Sequence, residues 1–154
     1  MNTQAQLALE SFERDLEAFL VSCDDLEKSG RWDAAELGPA SAYFESDLFG
    51  AVLQVMRADG VFERPEAEVL NAMFGTSYTP RQLSGMYHSI GPVLKSYLGD
   101  DSDDALGMLR AIDPGMAGTY RDLLVEACRI VSLSDGVAEK SERVLIAQLR
   151  EALS

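Results

Sequence analysis

The chain has 154 residues, 47% hydrophobic and 25% charged, a composition that suits a soluble globular domain with enough apolar mass for one core. Its formal net charge of −13 disfavours nucleic acid and an anionic membrane, which require a basic surface, and favours cations and basic proteins as partners. No apolar run approaches the ~20 residues of a membrane span, and Met1-Asn2-Thr3-Gln4 lacks the basic start of a signal peptide, so a cytoplasmic location is the expectation.

Helical periodicity runs almost throughout. Leu9, Phe12, Leu16, Phe19, Cys23 and Leu26 recur at spacings of three and four. They predict a long first helix with one apolar stripe, ended near Ser29-Gly30. Gly38-Pro39 marks a loop that Trp32 anchors against the bundle. A second helix is expected from about Ala40 to Ala58, with Phe44, Leu48, Val52 and Val55 on one face. Asp59-Gly60 stops it, because Gly readily takes the left-handed conformation at a helix end.

The third helix begins near Glu63 and buries Val69, Leu70, Met73 and Phe74 before Gly75. Thr79-Pro80 opens a fourth with Leu83, Met86, Ile90, Leu94 and Tyr97, which Gly91-Pro92 should kink or break. The run Asp100 to Asp104 reads as a solvated loop whose last Asp caps a short helix; a separate weak Ca²⁺ contact is its alternative. That short helix holds Leu106, Leu109 and Ile112, and Asp113-Pro114-Gly115 ends it. A sixth helix, about Met116 to Leu133, turns Tyr120, Leu124, Ala127 and Val131 inward. A seventh, about Glu139 to Leu153, buries Leu145, Leu149 and Leu153. No run combines β-branched residues with strict alternation. The expected fold is therefore all-α, a compact bundle of about seven helices in a single domain over residues 1–154.

Cys23 and Cys128 lie inside apolar helical patterns and read as buried, reduced thiols. His88 is the one histidine, and neither a His-based metal site nor a Ser-His-Asp triad is expected around it. It is expected at or near the surface.

One short acidic pattern occurs twice, 76 residues apart: Ala58-Asp59-Gly60-Val61-Phe62-Glu63-Arg64-Pro65-Glu66 and Ser134-Asp135-Gly136-Val137-Ala138-Glu139-Lys140-Ser141-Glu142. Both are Asp-Gly-Val-x-Glu-x-x-Glu between apolar runs, which points to two helix-turn-helix units related by pseudo-symmetry. The structural account is a helix stop followed by a helix start. Asp-Gly ends one helix, the Val drops into the core, and the first Glu falls near the N-cap. The second Glu falls near the third helical position, as in a capping box. Glu is a poor N-cap, so Glu63 and Glu139 are less well explained than Glu66 and Glu142.

The functional account is a divalent-cation site. Asp-Gly-x5-Glu matches the second half of an EF-hand loop, but the first half fails, with Val55 and Arg57 in one copy and Val131 and Leu133 in the other where oxygen ligands belong. Any cation must be shared between copies, among Asp59, Glu63, Glu66, Asp135, Glu139 and Glu142. Such hard oxygen ligands suit Ca²⁺, Mg²⁺ or Mn²⁺.

The doubled motif in an all-helical chain resembles the tellurite-resistance TerB-like family. The residues that carry the likeness are Met56 to Phe62 with Glu66, and Val131 to Val137 with Glu142, and it extends over about residues 40–154. The resemblance implies a bundle of about seven helices with an acidic metal-binding face on one side. It also implies a setting in tellurite or chemical-stress operons, phage defence or fusion to J-domain co-chaperones, without enzymatic activity. By position, Asp59, Glu66, Asp135 and Glu142 inherit the metal role, with Glu63 and Glu139 adjacent. The chain departs from the family at Ser134, where Ala is usual, at Glu63 and Glu139, where Ser or Asp caps are common, and at Pro65 in a first helical turn.

The expected function is a non-enzymatic stress-response module that presents an acidic, cation-binding face to a protein partner, one with a basic surface. The alternative is a metal-free interaction or co-chaperone-type adaptor whose acidic motifs are helix caps. A metal-dependent hydrolase is a third class, but no Glu-x-x-His pair, phosphate loop or nucleophile elbow supports it.

Overall fold

The computed structural model describes residues 3–56, 61–90 and 105–133, with Ala147 and Glu151 as isolated helical positions. The elements are α1 (Thr3–Lys28), α2 (Ala34–Leu37), α3 (Ala40–Met56), α4 (Arg64–Phe74), α5 (Pro80–Ser89), α6 (Ala105–Ile112) and α7 (Pro114–Leu133). Among the described residues all seven elements are helices, as the periodicity predicts. The membership differs from expectation in one place: α2 is an extra short turn, while the expected helix over Glu139 to Leu153 lies outside the described residues except for Ala147 and Glu151.

The core follows the apolar stripes. On α1, Phe12, Leu16, Phe19, Cys23 and Leu26 are buried against α7, α3 and α4. From α3 come Phe44, Leu48, Val52 and Val55, and from α7 Tyr120, Leu124, Ala127 and Val131. Aromatic rings fill the centre: Phe19 stacks on Tyr120 at 5.2 Å between centroids, and Phe44 meets Tyr120 edge-on at 5.2 Å. Tyr120 Oη donates toward Asp47 Oδ2 at 2.5 Å, with Phe44 O at 3.2 Å, so one hydroxyl ties α7 to α3. Both cysteines are buried, and neither forms a disulfide.

Polar groups fix the helix ends. Gly75 closes α4 at φ 65°, ψ 34°, its N–H donating to Asn71 O. Asn71 then latches the turn into α5: its Nδ2 donates to Tyr78 O at 2.9 Å, and its Oδ1 accepts from Thr76 Oγ1 and from the Tyr78 N–H. Thr79 and Gln82 form a reciprocal capping box, with Pro80 in the first turn. α5 stops at Ser89 and Ile90 is extended, just ahead of Gly91-Pro92; Leu94, Tyr97 and the run Asp100 to Asp104 lie outside the described residues. Asp113 opens α7 as well as following α6, since its Oδ1 accepts from the N–H groups of Gly115 and Met116. Trp32 is buried, with Nε1 donating to Gly38 O at 2.9 Å, and anchors its loop as expected. No helix among the described residues is long and apolar enough to cross a membrane.

Candidate functional site

The first acidic copy forms the entrance to α4. Glu63 is the N-cap, with extended backbone at φ −110°, ψ 173°, and its carbonyl accepts the first helical bond from the Ala67 N–H at 3.1 Å. Its side chain is exposed and makes no cap hydrogen bond, which agrees with the low value of Glu as an N-cap. Arg64 and Pro65 follow as the first two helical residues, and Glu66 occupies the third position. Arg64 turns outward and pairs with Glu68 at 3.1 Å, one turn on.

Glu66 is the buried charged side chain of the described residues, 1% exposed. Its Oε2 accepts no hydrogen bond there, while the residue is engaged through other interactions. Position gives it one source of support, because the open N–H groups of a first helical turn carry positive charge. The two carboxylates of this copy therefore stand at one helix end but in opposite media, Glu63 in water and Glu66 inside.

One expectation for this corner is corrected. The Val after Asp-Gly does not enter the core: Val61 is 55% exposed, and Phe62 is buried instead, edge-on to Tyr87 at 6.1 Å. Successive residues of an extended segment point to opposite sides, so only one of the pair can be inside. The larger apolar side chain takes the place.

Asp59, Asp135, Glu139 and Glu142 lie outside the described residues. The structure thus brings Glu63 and Glu66 together at one turn. Among the described residues no group of three or more His, Cys, Asp or Glu side chains is placed to hold a metal ion. His88 is exposed, with its ring edge-on to Tyr87, as a surface residue.

Two further surfaces are concave. A cleft of about 450 Å³ between α1 and α7 is lined by Asp15, Thr119, Asp122, Glu126 and Arg129. Arg129 is forked onto Glu126 at 2.7 and 3.1 Å, a bond that raises its pKa and occupies both partners. The other is a trough along α3 and α5 that the apolar pattern did not reveal. The stripe of Phe44, Leu48 and Val52 marks the inward face of α3, whereas Tyr43 and Phe49 lie beside it and pack only in part on the core. Aromatic residues just off the main stripe were the available signal.

Compared with known proteins, the chain matches no family model, no curated protein and no solved structure.

Proposed function

We propose that the chain is a non-enzymatic, cytoplasmic stress-response module of the tellurite-resistance TerB-like kind, whose two acidic corners share a divalent cation and present that face to a protein partner. The doubled Asp-Gly-Val-x-Glu-x-x-Glu supports this, and one observation carries it furthest: the first copy places Glu66 inside the protein at the opening turn of α4. Burying a carboxylate is costly unless positive charge meets it. A helix N-terminus supplies such charge, and a Ca²⁺, Mg²⁺ or Mn²⁺ ion held with Asp59, Glu63, Asp135, Glu139 and Glu142 would add to it.

Calorimetric titration with each of the three cations tests the cation site. Saturable uptake is expected in the native chain and at least tenfold weaker uptake in Asp59→Asn/Asp135→Asn. No saturable heat with any of the three would remove the cation from the account.

A second reading keeps the face and omits the ion: an adaptor in which the carboxylates are helix caps and contacts to a basic partner. Glu66 at the third position of α4 favours it, since a carboxylate there already complements the helix end. On this reading the same double substitution alters capture of a protein partner but leaves the metal content of the purified chain unchanged.

A further inference from the structure

The geometry points to an additional interaction surface, a trough across α3 and α5 that seats a basic, amphipathic helix of a partner protein. It is independent of the acidic corners. Glu66 and Phe74 are eight residues apart on α4, which separates the acidic turn from the trough by about 12 Å of helix.

The trough is two hollows that share a wall. One, of about 500 Å³, runs past Leu37, Tyr43 and Asp47; the other, of about 220 Å³, runs past Glu45, Phe49 and Met86. Ser46 and Ile90 line both. Tyr43, Ser46 and Phe49 form one i, i+3 row of α3, oblique to the helix axis and rising about 9 Å along it, a length that matches roughly two turns of an incoming helix. The apolar side chains here are half in use: Tyr43, Phe49, Phe74, Tyr78, Met86 and Ile90 pack against the core while remaining partly open.

Charge decides what fits. Among the described residues neither lining includes a Lys, Arg or His, whereas Glu45 and Asp47 do line the trough. Asp47 accepts from Tyr120. Glu45 is partly buried in its apolar hollow and makes no ion pair among the described residues. A cation brought in by a partner would therefore meet a carboxylate in a setting of reduced solvent screening. A second copy of this chain is disfavoured, because two bodies of net charge −13 repel. An extended peptide is disfavoured as well: the described residues form helices and turns, with no strand edge to pair its backbone. A helix satisfies its own backbone and offers apolar anchors at i, i+3 or i+4 and i+7 with basic residues beside them.

The test is selection of displayed random peptides of roughly 15 residues, about four helical turns, on the full chain in the presence of a chelator. Enriched sequences are expected to carry Lys or Arg beside apolar residues at helical spacing. A synthetic copy of the best sequence should shift the emission of Trp32, the single tryptophan, whose ring lies 5.2 Å from Tyr43. Ser46 is exposed, so Ser46→Arg blocks the trough without touching the core; it should weaken binding at least tenfold with an unchanged melting midpoint. Glu45→Gln should weaken it several-fold, and Asp59→Asn/Asp135→Asn should leave it unchanged, which separates this result from the fate of the cation site. No enrichment, enrichment of acidic or unpatterned peptides, or binding indifferent to Ser46→Arg would overturn the proposal.

Discussion

Glu63 and Glu66 are three positions apart and have opposite surroundings, so they should respond differently to truncation. Glu66→Ala removes a buried carboxylate from the first turn of α4 and is expected to cost about 1–3 kcal/mol. Glu63→Ala, at an exposed cap without a side-chain bond, should stay within about 0.5 kcal/mol. Urea unfolding of both variants checks the contrast; equal losses would contradict the assigned positions. The sequence disclosed where these residues sit on the helix, because the spacing after Asp-Gly sets N-cap and third position. It did not disclose which carboxylate is buried, since that depends on how α4 is rotated against its neighbours. The exchange of Val61 for Phe62 has the same origin: in an irregular segment two adjacent apolar residues compete for one side, and periodicity is silent there.

At the level of elements, boundaries were legible wherever a chemical stop or start exists. Gly75 and Thr79-Pro80 mark the α4–α5 turn in the sequence, and the structure realises both, as a left-handed cap and a capping box. Thr79→Ala should therefore cost about 1 kcal/mol, read from the shift in urea midpoint, because it strips an acceptor from the Gln82 N–H. A cost near zero would mean that α5 does not depend on that cap. The turn α2 was not legible: four residues carry no periodicity, and its start rests on Asp33 accepting from the Glu36 N–H at 3.2 Å. The trough beside α3 escaped notice for a related reason. A helical stripe identifies what faces inward, whereas a groove is made by the flanks of several helices that only the tertiary arrangement brings together.

For the molecule as a whole, burial of weak acids sets an alkaline limit. Burial, reinforced by Asp24, pushes the Cys23 thiol from its ordinary 9.0 up to about 12, and burial with Asp47 also raises Tyr43. A raised native pKa means that the unfolded chain loses the proton first. The stabilisation is complete below about pH 9 and is lost as pH climbs toward 12. Melting midpoints should fall across that window, and Cys23→Ala should flatten part of the fall. The proposed cation at the doubled acidic corners would bear on the whole chain, because a ligand of the native state stabilises all of it. A cation at about 100 times its Kd adds about 2.7 kcal/mol, and each kcal/mol moves the midpoint of a domain this size by about 2–4 °C. The deciding measurement is thermal melting with and without millimolar Ca²⁺, Mg²⁺ or Mn²⁺. A rise of about 5–10 °C is expected with at least one of them, absent in Asp59→Asn/Asp135→Asn; a native midpoint that none of the three cations moves would contradict the proposed cation site.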